Sequence, residues 1–141
     1  MPIERVLVAD DDAALRNLLV LICRRAGFEV DIAGDGTQAL QAIAKTEYLL
    51  VVLDLQMPNT NGFDVVEALR ARQRRPSVIV LTALPPSAVV GLDPAVVQAI
   101  VRKPFDVDLL TLMLAELAST ARQEWSAASE QDSDNSAVAP N

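Results

Sequence analysis

The fold of this chain is predicted first from one stretch, Val51-Val52-Leu53-Asp54-Leu55-Gln56-Met57-Pro58, and from Gly62 that follows it. Residues 49–53 are too few for a helix and too apolar for a half-exposed strand, so they predict a central strand covered on both faces. Asp54 then lies where this strand ends, because the proline keeps Met57 out of the helical region. In an open parallel sheet, ligands bind outside the carboxyl ends of the strands. The end of this strand is therefore the first place to look for a functional site.

The composition predicts one globular domain. The chain has 141 residues, of which 51% are hydrophobic, and this length is sufficient for a single core. No apolar run approaches the length of a membrane span, and the first residues lack the layout of a signal peptide. Cys23 is the single cysteine, which excludes an internal disulfide. We therefore expect a cytoplasmic protein that does not engage a membrane.

Charge and residue usage exclude several classes of function. The formal net charge is −7, whereas a nucleic-acid surface needs a basic footprint, so we expect no nucleic-acid partner. The chain contains no histidine, the commonest general base and zinc ligand. Most hydrolase triads and zinc sites are thereby excluded.

Strands and helices alternate along the sequence. A polar, period-two strand at 28–32 predicts an edge strand, and the prolines within residues 83–98 allow only a turn of helix near 87–90 and a short helix from 93 to 98. The pattern predicts an α/β fold with a parallel five-stranded sheet in the order 2-1-3-4-5 and helices on both faces. The strands are predicted at 5–9, 28–32, 49–53, 78–81 and 99–101, and the longer helices at 12–26, 37–45, 63–72 and 106–123.

In this strand order the first and third strands are neighbours, so Asp10, Asp11 and Asp54 are expected to meet at one edge of the sheet. Thr82 and Lys103 reach the same edge from the fourth and fifth strands. Crowded carboxylates repel one another unless they share a proton or bind a cation, and oxygen ligands suit Mg²⁺. A lysine and a hydroxyl complete a phosphate site, in which the central Asp54 is the predicted nucleophile for an aspartyl phosphate.

Four motifs, in this order and spacing, resemble the receiver domain of two-component response regulators. The resemblance covers residues 5–118 and implies a flavodoxin-like receiver domain, which we place at residues 1–123. The small, polar and acidic composition of residues 124–141 predicts a disordered tail, so we expect a stand-alone receiver domain. The motifs are Val6-Leu7-Val8-Ala9-Asp10-Asp11, Leu53-Asp54-Leu55-Gln56-Met57-Pro58 with Gly62, Leu81-Thr82-Ala83, and Lys103-Pro104-Phe105.

The resemblance implies a phosphoacceptor and a metal site at named positions. Asp54 matches the aspartate that accepts a phosphoryl group from the phosphohistidine of a histidine kinase or phosphotransfer protein. Asp11, Asp54 and the backbone carbonyl of Gln56 match the Mg²⁺ ligands, and Asp10 matches a residue that acts through a metal-bound water.

The resemblance also implies how the phosphoryl group is contacted and where this chain departs from the family. Thr82 and Lys103 match the hydroxyl and the ammonium that bind the phosphoryl group, and the peptide bond before Pro104 is expected to be cis. Ile100 occupies a position at which the family often has a tyrosine or phenylalanine that turns inward as a switch. The proline-broken segment at 83–98 replaces one regular helix, so the output face is expected to be altered.

These residues favour a phosphoacceptor signalling module that acts through a downstream protein partner and is not an enzyme beyond its own phosphoryl transfer and dephosphorylation. One alternative is a Mg²⁺-dependent phosphatase or hydrolase. Such an enzyme commonly needs a second acid/base carboxylate soon after the nucleophile, whereas Leu55 and Gln56 follow Asp54. The other alternative is an interaction module that does not depend on phosphorylation.

Several further residues are interpreted structurally. Cys23 is expected to be a buried small hydrophobe and Leu112 to be a core residue. Trp125 either packs back on the domain or anchors a partner. Arginines cluster after the third helix, and we interpret them as a solvated helix end at which cations are favoured. They are Arg70, Arg72, Arg74 and Arg75.

Overall fold

The computed structural model describes residues 4–59 and 61–137, with side chains as far as residue 127. A parallel sheet in the order β2-β1-β3-β4-β5 forms its centre, with helices on both faces. This arrangement confirms the predicted fold class and strand order. The elements are β1 (Arg5–Ala9), α1 (Ala13–Arg25), β2 (Glu29–Ala33), α2 (Gly36–Lys45), β3 (Leu50–Asp54), α3 (Gly62–Arg70), β4 (Ser77–Thr82), α4 (Pro86–Val89), β5 (Ala99–Arg102) and α5 (Val107–Ala137).

The central strand β3 is buried along its whole length. Because successive side chains of a strand point to opposite faces, Val51 and Leu53 pack with α2 and α3, whereas Leu50 and Val52 pack with α1 and α5. The edge strand β2 is half exposed, as its alternating sequence predicts. The apolar stretch quoted above therefore separates two hydrophobic layers and anchors both.

Both ends of α1 follow from local chemistry. The Asp12 carboxylate accepts hydrogen bonds from the backbone N–H groups of Ala14 and Leu15, which caps the helix. Gly27 has a φ of 95°, a left-handed conformation that favours glycine after a helix end. The helix therefore begins and ends where the sequence predicts.

One core assignment on α5 is wrong. Leu112 is 69% exposed, although it was expected to lie in the core. The buried face of α5 instead follows the four-residue spacing of Leu110, Leu114 and Ala118. On α3, which begins at Gly62, Phe63 is 36% exposed, whereas Val65, Val66 and Leu69 are buried.

The connection between β4 and β5 differs from its prediction. Helix α4 is a single turn of four residues, as predicted near 87–90, but the short helix predicted at 93–98 is only a hydrogen-bonded turn. Asp93 caps this turn by accepting a hydrogen bond from the Ala95 N–H, and its carbonyl accepts the N–H groups of both Val96 and Val97. A longer helix does not form here because Val96 and Val97 are both buried in the core beside α2 and α3.

The last helix, α5, is longer than predicted. It was expected to end near Gln123 before a disordered tail, but the helical backbone continues to Ala137. Trp125 packs back on the domain: its Nε1–H donates to the carbonyl of Arg75 at 3.0 Å, and the guanidinium of Arg74 lies 5.0 Å from the ring centroid. This contact extends the anchored part of the helix by stacking and hydrogen bonding. The domain boundary at residue 123 stays a prediction, and residues 138–141 lie outside the described part.

Over residues 4–59 and 61–137, none of the helices combines the length and apolar character required to cross a lipid bilayer.

Candidate functional site

Three carboxylates meet at the carboxyl ends of β1 and β3. These strands pair with Ala9 opposite Leu53, so Asp10 and Asp54 follow at neighbouring positions. The carboxylate oxygens of Asp10, Asp11 and Asp54 lie within 4.8 Å of one another. Asp10 is 1% and Asp54 5% exposed, whereas Asp11 is exposed to solvent. The three acids therefore share one site, of which only one side is open.

A lysine lies between the two buried carboxylates. Lys103 Nζ is 3.2 Å from Asp10 Oδ2 and 3.4 Å from Asp54 Oδ2. The lysine follows β5, where its backbone N–H donates to the Thr82 carbonyl, and the bond to Pro104 is cis. The ammonium contacts two carboxylates and the third lies within 4.8 Å of them, so negative charge remains in excess at the site.

The ionisation of these groups reflects burial and mutual attraction. Burial raises the pKa of Asp54 above its ordinary 3.8, and the Asp10 charge adds to this rise, while the Gln56 N–H and the Lys103 ammonium oppose it. Burial alone would lower the pKa of Lys103, but the Asp54 and Asp10 carboxylates outweigh it and raise this pKa above 10.5. The lysine is therefore a permanent cation beside a destabilised carboxylate.

Local hydrogen bonds orient each side chain. Asp54 Oδ1 accepts the Gln56 N–H at 2.9 Å, and Asp10 Oδ1 accepts the Asp12 N–H at the same distance. In both residues Oδ2 is the oxygen that faces Lys103. Short-range bonds of this type fix carboxylates just after strand ends, where the ladder stops. Each buried carboxylate therefore keeps one oxygen directed to the centre of the site.

The loop after β3 packs against the site so closely that it requires a glycine. A Cβ on Gly62 would lie 2.5 Å from Leu55 Cα and 2.8 Å from the Asp54 carbonyl oxygen, both backbone atoms. The Gly62 N–H donates to the Leu55 carbonyl at 3.0 Å, and Asn61 caps α3. The glycine thus allows the first turn of α3 to pack directly against the backbone at the end of β3.

Thr82 and Ile100 lie in different environments. Thr82 is 1% exposed and follows Leu81, which pairs with Asp54 in the sheet. Its hydroxyl oxygen accepts the Leu84 N–H at 3.0 Å. Ile100 pairs with Val80 but is 41% exposed. The structure therefore places the threonine at the acidic edge and leaves the isoleucine on the surface.

The sequence analysis did not single out Arg16, whose Nη1 donates to the backbone carbonyl of Asp10 at 2.9 Å. Its only signal in the sequence is an arginine one turn into a helix that starts from an aspartate cap, which is too common to indicate a site. The Asn59 amide, which donates to Asp35 across two loops, was missed for the same reason.

The donor set fits a hard divalent cation. The ligand atoms available are oxygens, the negative charge is in excess, and Asp11 lies at the open side. Mg²⁺ keeps several waters when it binds to one or two carboxylates, and a site with one solvent-exposed wall allows this.

The fold and the site define a class: doubly wound α/β proteins with an acidic, lysine-containing pocket at the point where the strand order reverses. Residues 6–115 match the family model described as the response regulator receiver domain. The chain belongs to this family, which confirms the resemblance inferred from its motifs, and it is thus a receiver domain of two-component systems.

Relatives and solved structures agree with this assignment. The DNA-binding response regulator MtrA of Mycobacterium tuberculosis (strain ATCC 25618 / H37Rv) is 46% identical over 80 residues, which are 57% of this chain and 35% of that protein. The sensory/regulatory protein RpfC of Xanthomonas campestris pv. campestris (strain 8004) is 37% identical over 124 residues, covering 84% of this chain and 17% of RpfC. This chain therefore spans about a third or less of these relatives.

The structural neighbours are receiver proteins. The response regulator TrrA of Thermotoga maritima, solved in complex with Mg²⁺-BeF, has a TM-score of 0.71 and 31% identity, and the match covers 82% of this chain and 99% of that one. The CheY-like receiver domain protein of Methanospirillum hungatei JF-1 has a TM-score of 0.77 and 25% identity, with coverage of 87% and 99%. The expectation of no nucleic-acid partner gains no support here, because MtrA is named as DNA-binding.

Proposed function

We propose that this chain accepts a phosphoryl group on Asp54 from the phosphohistidine of a histidine kinase or phosphotransfer protein, with Mg²⁺, and signals through contact with a downstream protein. The observation that carries the proposal is the position of Asp54 at the end of β3, 5% exposed, with Lys103 on one side and Asp10 and Asp11 close by. A carboxylate in such a place can act as a nucleophile toward phosphorus.

The transfer step conserves atoms and electrons. A carboxylate oxygen of Asp54 forms a bond to phosphorus while the bond between phosphorus and the imidazole nitrogen breaks. The electron pair of that bond remains on the imidazole nitrogen, and this nitrogen then takes up a proton. In the metal-free site burial raises the pKa of Asp54, so Mg²⁺ bound there would favour the ionised, nucleophilic form of the carboxyl.

The residues of this chain would share the remaining tasks. Asp11, Asp54 and the backbone carbonyl of Gln56 would hold Mg²⁺, and Asp10 would act through a water. When bound, Mg²⁺ supplies positive charge that stabilises the phosphoryl oxygens during transfer. The Mg²⁺-BeF complex of TrrA supports this assignment by similarity.

Lys103 and Thr82 would bind the phosphoryl group. The ammonium of Lys103 already lies within 3.4 Å of Asp54 and offers charge to a phosphoryl oxygen attached there. The Thr82 hydroxyl accepts a backbone N–H, so its own hydrogen is available for donation. In this proposal the chain has no enzyme activity beyond its own phosphoryl transfer and dephosphorylation.

Intact-mass measurement after treatment with acetyl phosphate and Mg²⁺ tests the proposal. We expect the protein to gain the mass of one phosphoryl group and Asp54→Asn to gain none, because an amide is not a nucleophile at this site. Asp64→Asn, which alters an exposed aspartate on α3, is the matched control and should gain mass like the parent. A mass gain that persists in Asp54→Asn would place the acceptor elsewhere.

The same experiment separates the alternatives. Ile100 is exposed and α4 is a single turn, which favours the phosphorylation-independent interaction module as second candidate. That function predicts no mass gain in the parent, whereas a hydrolase would release phosphate from the donor without a stable adduct. Asp11→Ala should weaken Mg²⁺ binding without loss of folding, because Asp11 is exposed. Equal Mg²⁺ titration of this variant and the parent would contradict the ligand assignment.

A further inference from the structure

The guanidinium of Arg16 bridges two loops at the acidic site. Its Nη1 donates to the Asp10 carbonyl at 2.9 Å, and an ideal Cβ on Gly34 would lie only 3.4 Å from the same nitrogen. The arginine therefore lies between the β1–α1 loop, which carries the acids, and the β2–α2 turn. Its Nε is buried, and within the described part of the chain it has no hydrogen-bond partner.

The carbonyl that Arg16 holds is the last main-chain group before Asp11. The Asp10 N–H donates to the Ala33 carbonyl at 3.1 Å, which continues the β1–β2 pairing by one residue. With the Arg16 bond, both main-chain groups of Asp10 are engaged. Since a peptide unit is planar, holding the Asp10 carbonyl also fixes the plane of the bond that enters Asp11.

Asp11 needs such support more than its neighbours do. Asp10 and Asp54 are buried, and each is held by a backbone N–H and by Lys103. Asp11 is exposed, so packing restrains its side chain little. The direction of its backbone is what keeps its carboxylate within 4.8 Å of the other two.

We infer that Arg16 is a positioning residue, which orients Asp11 for Mg²⁺ by holding the Asp10 carbonyl. This inference rests on the proposed function. A buried donor without a partner is costly, and the fold keeps Arg16 in this place although its Nε is unpaired. Groups behind metal ligands commonly change metal affinity by roughly 10-fold or more when they are removed.

The sign of the effect separates positioning from electrostatics. Arg16 is a cation close to a site that binds a cation, so loss of its charge alone would strengthen Mg²⁺ binding. Loss of positioning would weaken it. Arg16→Met is therefore expected to raise the Kd for Mg²⁺ roughly 10-fold by calorimetric titration, against the electrostatic trend. Arg16→Lys keeps the charge and one donor and should recover part of the loss.

Arg25→Met is the matched control, because it removes an exposed arginine from the other end of the same helix. Its Kd should equal that of the parent. All variants are compared at a temperature at which circular dichroism shows them folded, so that lower stability alone does not change the Kd. Unchanged or tighter Mg²⁺ binding by Arg16→Met would overturn the inference.

A measurement without metal tests the positioning by itself. The Asp12 N–H is bonded to Asp10 Oδ1 in the loop that Arg16 holds, whereas the Gln56 N–H is bonded to Asp54 in the other loop. Hydrogen exchange at Asp12 should accelerate in Arg16→Met, with exchange at Gln56 unchanged. Equal exchange at Asp12 in Arg16→Met and the parent would reject the role of Arg16. A parent that binds no Mg²⁺ would reject the proposed function instead, and with it the metal part of this inference.

Discussion

The two halves of the sheet differ in how completely they are covered. In β3 all five residues are buried, whereas in β5 half-buried and exposed residues alternate. Ile100 of β5 pairs with Val80, so it lies on the sheet face that α2 and α3 cover elsewhere. There α4 is too short to cover it, and Ile100 remains 41% exposed. The sheet face that α2 and α3 cover is therefore closed at β3 and partly open at β5.

This difference separates chemistry from output. The two buried acids, Asp10 and Asp54, and Lys103 are held by strand ends, short-range hydrogen bonds and ion pairs, so several contacts fix their geometry at once. The connection between β4 and β5 buries only Val96 and Val97 fully; Leu84, Val89 and Leu92 are partly buried, and Asp93 pairs with Arg70 at 2.6 Å. A segment with few buried contacts opens at lower free energy than a core strand. We therefore expect substitutions at the acidic site and around β3 to lower the free energy of unfolding strongly, and substitutions in the β4–β5 connection to lower it little.

The largest contrast is expected between two glycines. Gly62→Ala should lower the free energy of unfolding by about 3 kcal/mol, because its Cβ would overlap backbone atoms of β3. Gly91→Ala, in the β4–β5 connection, has no atom within 4 Å of the added Cβ and should change stability by no more than about 0.5 kcal/mol. Urea denaturation measures both. Similar losses of unfolding free energy in the two variants would show that the end of β3 is no more closely packed than the β4–β5 connection.

Lys103→Met should have the next largest effect. Without the ammonium, two buried carboxylates face each other uncompensated, so we expect a loss of about 2 kcal/mol in metal-free buffer. Lys45→Met, at the exposed end of α2, should cost no more than about 0.5 kcal/mol. Added Mg²⁺ should restore part of the stability of Lys103→Met. Stability equal to that of the parent without metal would contradict the electrostatic account of the site.

Asp54→Asn should stabilise the metal-free protein by about 1 kcal/mol at neutral pH. The pKa of Asp54 is raised in the folded state, so the folded protein binds a proton more tightly than the unfolded chain. The contribution of Asp54 to stability is therefore fully present below its ordinary pKa of 3.8 and is lost as the pH rises through the raised pKa. The advantage of Asp54→Asn should grow with pH in thermal melts. An advantage that stays constant with pH would show that this carboxylate is not destabilised.

The smallest effect is expected at Ile100. Ile100→Ala should cost less than about 1 kcal/mol, because the side chain is 41% exposed. We also expect that a beryllofluoride phosphoryl mimic changes amide hydrogen exchange most across residues 83–93, where α4 is a single turn, and that Ile100→Ala keeps this change. A response that disappears in Ile100→Ala would assign the switch to this side chain. Flat exchange across 83–93 would exclude the loop.

The sequence predicts the acidic site well because its parts are local. Asp10, Asp54 and Lys103 each follow a short apolar strand, and the carboxyl ends of parallel strands meet at one edge whatever the details of packing. Once β2 is identified as an edge by its polarity, the strand order brings these residues together. The meeting of the carboxylates therefore required no knowledge of side-chain packing.

The sequence predicts the packing of the β4–β5 connection poorly, because this packing depends on contacts with residues distant in the sequence. Pro85, Pro86 and Pro94 indicate that a helix is interrupted, but they do not reveal that Val96 and Val97 fill the core in its place. The exposure of Ile100 then follows from the shortness of α4. Likewise, the bond of Arg16 to the Asp10 carbonyl depends on how α1 lies against two loops.

By itself the sequence determined the strands, the limits of α1, the strand order and the residues of the acidic site. These depend on hydrophobic period, turn chemistry and strand ends, which are properties of a few neighbouring residues. Only the tertiary structure decided the exposure of Ile100, the position of Arg16 and the hydrogen bond from Trp125 to the carbonyl of Arg75, 50 residues away. Such contacts depend on which remote side chains fill the same space, and that competition has no local signature in the sequence.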